Sequence, residues 1–415
     1  MTHYMRLRPL PFFAIKEGRK KVEMRLYDEK RRAIAKNDII VFENTESEER
    51  LYALVTGLSV FKDFKELFAH YPKDLLGYGA QEPASDEDML AYYTREEIEV
   101  FGVLAIEIKL GVELSPPNPK GDTMDYPSKL SDIHLRDPFI LVDGGLYYMY
   151  GSKGSAAFGP ATGLDVFVSE DLENWSLPHE VLHRPDGFWA DRDFWAPEVH
   201  LYNGKYYMLV SMKAEGVCRG TVIFKADNPK GPFLPYSDGP VTPRDWECLD
   251  GTLYIEDGVP YMVFCHEWVQ TKDGEMCAVR LSADLKKAEG EPLLLFKASS
   301  FPAVASVKDE GNFVTDGPFL LRLESGKLLM LWSSYIDRSY PCYCEIVSYS
   351  ESGKIKGPWR HEEKPLFDGN GGHGMVFKTK EQDPFFVMHQ PNNMPNERPV
   401  LFALTETEEN LSKKE

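Results

Sequence analysis

The chain has 415 residues, of which 43% are hydrophobic and 27% charged, a composition that excludes disordered and fibrous proteins. This length exceeds what one hydrophobic core usually serves, so we expect two or three domains. The formal net charge of −19 disfavours a protein coated in nucleic acid, because phosphate binding needs a basic surface.

The N-terminus, MTHYMRLRPLPFFAIKEGRKK, lacks the uninterrupted apolar core of a signal peptide, and no apolar run of 18 residues occurs in the chain. We therefore expect a cytoplasmic protein without a membrane partner. Six cysteines in a chain of this length favour reduced thiols. The C-Y-C spacing at 342–344 differs from the C-x-x-C spacing of zinc and redox sites, so the sequence predicts structural cysteines.

Residues 1–111 mix strand and helix patterns, which predicts a compact α+β domain. DIIVFEN (38–44) and LYALVTGLSVF (51–61) are typical of strands, whereas FKDFKELFAHY (61–71) has its apolar residues on one helical face. Ser85 is a predicted N-cap because acidic residues follow it directly. The next segment, 112–129, is rich in Pro, Gly and polar residues and is predicted to be a linker.

From residue 130 onward, short strands with turn signals replace the helical periodicity. Five similar patterns, each an apolar strand, a polar turn and a second apolar strand, begin at positions 137, 196, 250, 316 and 373. Their spacing leaves room for two further strands in each unit, so the repeats predict an all-β five-bladed β-propeller over residues 130–405. Residues 406–415 are predicted to be a polar tail.

The first strand of each blade lines the channel of a propeller, so the first residues of the repeats are expected to converge. These residues are Asp137, Ala196, Asp250, Asp316 and His373. Glu198 lies two positions after Ala196 and is expected on the same face, as a fourth inward acid. Crowded carboxylates separate their pKa values, which suits acid–base chemistry. Strand capping by Asp-Pro and Asp-Gly, or a hard-cation site, are the alternatives.

Five motifs at these positions resemble glycoside hydrolase family 43 over residues 130–402. They are RDPF (136–139), WAPEV (195–199), LDGTLY (249–254), TDGPF (315–319) and GGHGM (371–375). The resemblance implies an inverting glycosidase acting on α-L-arabinofuranosides or β-D-xylosides. The family usually has Glu rather than Asp before this Gly-Pro, and the shorter side chain must be brought closer to its target.

The resemblance also implies a role for each residue. Asp137 would be the general base, Asp316 the general acid, and Asp250 would tune and orient that acid. His373 matches a histidine that in some relatives helps to hold a calcium or other ion on the propeller axis, here through water; no cofactor is required. Trp195 would be a wall of the sugar site. Other aromatic residues near blade starts would stack on sugars or pack in the core: Trp189, Phe194, Trp246 and Trp268.

The segment EGRKKVEMR (17–25) contains G-x-K-x-x-E-x-R and resembles ASCH domains, which are PUA-like β-barrels. The motif residues are Gly18, Lys20, Glu23 and Arg25. The resemblance covers residues 4–110 and implies RNA or a nucleotide as a partner. Residues 16–36 hold nine Lys and Arg against four acids, which permits such binding but also suits a solvated face with internal salt bridges.

We therefore expect a glycosidase that removes terminal α-L-arabinofuranosyl or β-D-xylosyl residues from plant-derived oligosaccharides. Two alternatives stay open at this point. One is a non-catalytic sugar-binding propeller coupled to an RNA-binding ASCH domain, and the other is an endo-arabinanase with an open cleft.

Overall fold

The computed structural model describes residues 2–36, 38–45, 50–79, 82–110, 128–153, 157–337 and 341–414. It divides into two compact units, Met1–Asp122 and Thr123–Glu415. Most of the predicted linker lies outside the described residues.

The N-terminal unit is built on a five-stranded sheet in the order β1-β3-β4-β5-β2, in which only β1 and β3 pair in parallel. The strands are β1 Thr2–Leu7, β2 Val22–Leu26, β3 Ile39–Asn44, β4 Arg50–Phe61 and β5 Val103–Leu110. The helices are α1 Pro9–Lys16, α2 Glu29–Arg32, α3 Phe64–His70 and α4 Arg95–Phe101, with a 3₁₀ turn at Asp86–Ala91. The two predicted strands are confirmed as β3 and β4, the helix as α3, and the Ser85 side chain caps the 3₁₀ turn.

Two cores cover the two faces of this sheet. Along β5, Leu104 and Ile106 belong to one core, together with Phe12 of α1. The intervening Ala105 belongs to the other core, with Phe64 of α3. This alternation follows from the two-residue period of a strand and explains why helices are needed on both sides.

The C-terminal unit contains five antiparallel sheets in chain order, one for each predicted repeat. Blade 1 holds β6 Ser128–Lys129, β7 Arg136–Asp143, β8 Leu146–Ser152, β9 Gly163–Ser169, β10 Asn174–Trp175 and β11 His179–His183. Blade 2 holds β12 Arg192–Tyr202, β13 Lys205–Ala214, β14 Val217–Ala226 and β15 Leu234–Pro235. Blade 3 holds β16 Cys248–Glu256, β17 Val259–His266, α5 Trp268–Thr271, β18 Glu275–Leu281 and β19 Ala288–Lys297.

Blades 4 and 5 complete the unit. Blade 4 holds β20 Asp316–Arg322, β21 Leu328–Asp337, β22 Pro341–Ser350 and β23 Trp359–His361, and blade 5 holds β24 Gly372–Lys378, β25 Pro384–Gln390, β26 Arg398–Glu406 and β27 Leu411–Lys413. Short 3₁₀ turns lie at Leu130–Asp132 and Ala298–Ser300. The inner strands β7, β12, β16, β20 and β24 contact one another in sequence, and β24 contacts β7, which closes the ring. The predicted five-bladed β-propeller is confirmed.

Each inner strand carries a β-bulge at its start, and the residue inside the bulge has a positive φ of 44–56°. The bulge residues are Asp137, Ala196, Asp250, Gly317 and His373. The predicted alignment is therefore wrong by one residue in blade 4, because the bulge sets the register and it contains Gly317. Asp316 comes one position earlier, equivalent to Trp195 in blade 2.

Side chains on the second strands join each blade to the next. The hydroxyls of Ser152, Ser211 and Ser333 accept hydrogen bonds from the following blades' bulge N–H groups, at 2.6–2.8 Å. His389 takes this position in blade 5, where its Nδ1 accepts from the Asp137 N–H at 3.2 Å. In blade 3 the residue equivalent to these serines is Cys265. The ring is thus closed by side chains as well as by packing.

The structure also bears on the C-terminal tail, the cysteines and membrane-spanning helices. The predicted polar tail is wrong, since Leu411–Lys413 pairs with β26 and buries Leu411 against the blade. All six cysteines are free thiols. Among the described helices, none has the length and apolar character needed to cross a membrane.

Candidate active site

A cavity of about 450 Å³ lies where the inner strands begin, and all five blades contribute to it. Its lining includes Asp137, Trp195, Asp250, Asp316 and His373, one residue from each blade in chain order. The structure therefore brings together the three acids and the imidazole that the sequence predicted to converge.

Asp137 is a buried carboxylate surrounded by donors and basic groups. The Ser152 hydroxyl donates to its Oδ2 at 2.6 Å, while its Oδ1 lies 3.3 Å from Nδ1 of His373. Burial alone would raise the pKa of Asp137, but three basic side chains hold that pKa at about 2; they are His373, Arg136 and His389. Asp137 is therefore ionised at neutral pH and able to accept a proton.

His389 supports Asp137 from behind. Its Nδ1 accepts the Asp137 N–H, so Nε2 carries the proton and faces Oδ1 of Asn392 at 3.3 Å. The Asn392 amide in turn donates to the Tyr335 hydroxyl at 3.0 Å. Burial lowers the pKa of His389 to about 3, which keeps its ring neutral.

Asp316 has a contrasting environment. The Tyr343 hydroxyl donates to its Oδ2 at 2.9 Å. Burial and the nearby Asp250 carboxyl raise the pKa of Asp316 to about 7, against the opposite influence of His373 and Tyr343. Asp316 is therefore protonated up to near-neutral pH and able to donate a proton.

Asp250 links the acid to the rest of the site. Its Oδ2 accepts the backbone N–H of Gly317 at 3.0 Å, directly beside Asp316. Nδ1 of His373 lies 3.7 Å from the same oxygen. Burial and the Asp137 carboxylate raise the pKa of Asp250 well above its usual value. Its position suits a group that orients the Asp316 segment.

His373 lines the cavity, and its Nδ1 lies 3.3 Å from Asp137 and 3.7 Å from Asp250. Its backbone N–H donates to Ser333, whose hydroxyl donates to the buried Glu345 at 2.7 Å. Within the described residues, no three His, Cys, Asp or Glu side chains are grouped to hold a metal ion. A water-mediated ion at His373 stays a prediction.

Two aromatic walls flank the acids. The Trp195 ring donates its indole N–H to the Ala157 carbonyl at 2.6 Å, and the Arg219 guanidinium lies 3.4 Å from its centroid. Trp268, at the start of α5, lines the cavity too. Indole faces beside polar groups suit the apolar C–H faces and hydroxyls of a sugar.

Residues 130–407 match the family model described as glycosyl hydrolases family 43, which covers most of the chain. The chain belongs to glycosyl hydrolases family 43. It is therefore a glycosidase, and the paired carboxylates are the groups that such chemistry requires. Residues 5–111 match the ASCH domain model, which identifies the N-terminal unit as an ASCH domain.

The family 43 unit is similar to several known proteins, of which three follow. A crystal structure of an endo-arabinase from Bacteroides thetaiotaomicron is 41% identical with a TM-score of 0.63, covering 68% of this chain and 98% of that one. The extracellular endo-α-(1→5)-L-arabinanase 1 of Bacillus subtilis is 28% identical, over 57% of this chain and 71% of its own. An extracellular exo-α-(1→5)-L-arabinofuranosidase of Cellvibrio japonicus is 25% identical, over 60% of this chain and 72% of its own.

Four residues of the family 43 unit that were predicted near the sugar are not among the described residues that line the cavity. Phe194 is 2% exposed in the core, and Trp189 packs against that same core. Glu198 instead contacts Nε2 of His200 at 2.8 Å. The bulge between Trp195 and Glu198 shifts the strand register, so the simple alternation behind the Glu198 prediction fails. Trp246 stacks on His266 with ring centroids 4.1 Å apart.

The sequence analysis missed several residues of the family 43 site. Tyr343 stands between the two cysteines of C-Y-C, and strand alternation turns it to the cavity while Cys342 and Cys344 face the blade core. His389 occupies the position on the second strand of blade 5 that Ser152 occupies in blade 1 and Ser333 in blade 4. An alignment of the second strands could therefore have identified His389 from the sequence. Three other lining residues could not be found in this way, because they lie outside the repeated hairpin patterns: Phe158, Arg219 and Glu267.

The ASCH motif forms an internal ion network. Glu23 is 3% exposed and lies between Lys20 Nζ and Arg25 Nε, each 2.8 Å from one of its oxygens. Burial would raise the pKa of Glu23, but Lys20 and Arg25 lower it, so the carboxylate is ionised. The buried carboxylate is thus paired with two cations inside the domain. RNA or nucleotide binding by this domain stays a prediction.

Proposed function

We propose that the family 43 unit is an inverting hydrolase of α-1,5-linked L-arabinofuranosyl bonds. The observation that carries the proposal is the contrast between two carboxyl groups in one cavity. Asp137 has a pKa of about 2 and Asp316 a pKa of about 7, so base and acid are both in the required state at mildly acidic pH. The arabinan-active relatives support the choice of sugar.

In the proposed reaction, Asp137 removes a proton from water as that water attacks the anomeric carbon. The glycosidic C–O bond breaks, and the proton of Asp316 passes to the departing oxygen. One water is consumed, and the new hydroxyl has the opposite anomeric configuration. The Gly317 N–H bond to Asp250 supports the backbone beside the acid, so Asp250 acts on position rather than on the bond that breaks.

We propose cleavage at internal bonds, because the relative with 41% identity over nearly its full length is an endo-arabinase. Removal of terminal units, the expectation from the sequence, is the second candidate, and the exo-acting relative from Cellvibrio japonicus favours it. The non-catalytic propeller is disfavoured by membership of a glycosidase family.

Linear α-1,5-arabinan and an aryl β-D-xyloside separate these candidates. Internal cleavage predicts an early ladder of oligosaccharides from arabinan, whereas terminal cleavage predicts one small product throughout. Asp137→Asn should lose turnover, and Asp257→Asn is the matched control because Asp257 is exposed and pairs with Lys354. Hydrolysis of the xyloside without hydrolysis of arabinan would contradict the proposed sugar.

Two further expectations belong to this proposal. Turnover needs no added cofactor, so activity should persist after dialysis against EDTA. The cytoplasmic location also stays a prediction, which cell fractionation tests, since two relatives are named as extracellular.

A further inference from the structure

One wall of the cavity, between blades 2 and 3, carries a carboxylate that the proposed reaction does not use. Glu267 follows β17 directly, precedes α5 and lines the cavity next to Trp268. Arg219 and Trp195 continue the same wall from blade 2. The wall thus presents an acid and a cation between two indoles.

Arg219 is 5% exposed and holds this wall together. Its guanidinium lies 3.4 Å from the centroid of Trp195, and its Nη2 lies 3.3 Å from Asp193. Its Nε is 3.6 Å from Oε1 of Glu267, beyond hydrogen-bond distance. Among the described residues, neither Nε nor Nη1 has a hydrogen-bond partner. Arg219 therefore attracts the Glu267 carboxylate by charge without occupying its lone pairs.

Glu267 is 8% exposed and has Arg219 as its nearest cation. Burial raises the pKa of Glu267, and Arg219 opposes that rise. A carboxylate oxygen accepts hydrogen bonds from hydroxyls strongly when water is excluded, and an adjacent indole covers the apolar face of the same sugar. This combination fits a neutral polyol and disfavours an anionic sugar.

We propose that Glu267 is a specificity-determining residue, which accepts hydrogen bonds from hydroxyls of an arabinofuranosyl unit lying between Trp195 and Trp268. Arg219 is the positioning residue for this contact. The inference rests on the proposed function and adds the group that recognises the sugar. It gives Glu267 no part in proton transfer.

The test compares Glu267→Gln with Glu289→Gln. Glu289 lies on β19 of the same blade, where it is exposed and pairs with Arg280 at 3.4 Å, and it is not among the described residues that line the cavity. Glu267→Gln should raise KM for arabinotriose about tenfold or more, with kcat within about threefold, because charge-assisted hydrogen bonds are the stronger kind. Glu289→Gln should leave KM unchanged.

Binding measured without turnover gives an independent readout. On the Asp137→Asn background, calorimetry should show the Kd for arabinotriose rising by the same factor when Glu267→Gln is added. Glu267→Asp keeps the charge and should give an intermediate Kd, which also serves if the Gln variant folds poorly. Wild-type turnover together with unchanged KM and Kd in the Glu267 variants would overturn this inference alone. Wild type that neither binds nor cleaves arabinotriose would overturn both the inference and the proposed function.

Discussion

The two carboxyl groups assigned to proton transfer differ in their neighbours rather than in their chemistry. Asp137 has the Arg136 guanidinium and the imidazoles of His373 and His389 around it, whereas Asp316 has another acid, Asp250, and a phenol. Both groups are buried, so desolvation raises the pKa of each, and the surrounding charges decide which one stays ionised. Opposite protonation states at one pH follow from this arrangement.

The pH dependence of kcat/KM should report this difference. Only protonated Asp316 can donate, so kcat/KM should fall about tenfold per pH unit above its pKa of about 7. Asp137 is ionised from pH 4 upward, so its titration should not change kcat/KM in that range. In Tyr343→Phe the Asp316 carboxylate loses a donor, so its pKa should rise and the alkaline limb should move to higher pH. A profile that stays flat to pH 9 would be inconsistent with Asp316 as the acid.

The acids and the imidazole of the site could be predicted from sequence because each stands in a short motif at a blade start. Tyr343 and His389 could not, since their contacts depend on the closure of the ring. His389 meets Asp137 from 252 positions away, across the junction of the last blade with the first. Glu267 and Arg219 meet across blades 2 and 3, and neither belongs to a repeated motif.

The bulges are the elements that turn these residues towards the cavity. Four of the five bulge residues are not glycine, yet they hold a left-handed conformation at φ 44–56°: Asp137, Ala196, Asp250 and His373. Such conformations cost on the order of 1–3 kcal/mol each and persist where surrounding structure fixes them. The backbone N–H groups of these four residues donate hydrogen bonds that supply this fixation, and the acceptors are the side chains of Ser152, Ser211, Ser333 and His389.

Gly317 is the one bulge residue that has no side chain, and the structure gives the reason. A Cβ at this position would lie 2.7 Å from the His373 ring, at a φ of +52°. Gly317→Ala should lower kcat/KM by on the order of a hundredfold, because displacing the ring or Asp316 by about 1 Å misaligns the site. It should also lower the unfolding free energy by about 1–3 kcal/mol more than the matched control.

The control is Gly258→Ala in the turn between β16 and β17. Gly258 has a φ of +79°, but its added Cβ meets no described atom within 4 Å. Both variants place alanine at a positive φ and therefore share the backbone strain. The difference between them in kcat/KM and in denaturant unfolding measures the effect of the contact between the added Cβ and the His373 ring. Equal effects in both variants would refute the role assigned to the close approach.

The blades themselves were predictable because each hairpin repeats an apolar pattern with a polar turn. The register within blade 4 was not, since the hairpin pattern on which the repeats were aligned does not reveal the bulge, which contains Gly317 rather than Asp316. Aligning on the Pro of RDPF, WAPEV and TDGPF would have found it. The prediction of a polar tail at 406–415 was wrong for a different reason. The segment Leu411–Lys413 is mainly polar in sequence, yet it pairs with β26 as a short outer strand of blade 5.

At the scale of the whole molecule, the described residues that line the cavity all belong to the family 43 unit. Every described residue that lines it falls between Arg136 and His373, and the ASCH domain has its own two cores. The chain from Thr123 to Glu415 should therefore keep kcat/KM on arabino-oligosaccharides within about threefold of the full-length value. A tenfold loss in this truncated chain, measured alongside the full-length protein, would mean that the ASCH domain contributes to catalysis.

Leaving-group dependence tests the central claim most directly. A dinitrophenyl α-1,5-arabinotrioside needs no protonation of its leaving group, whereas linear α-1,5-arabinan does. Asp316→Asn should keep most of its kcat/KM on the aryl substrate and lose about 10²–10⁴-fold on arabinan, while Asp137→Asn should lose activity on both. Equal losses of Asp316→Asn on the two substrates would contradict the assignment of Asp316 as general acid and Asp137 as general base.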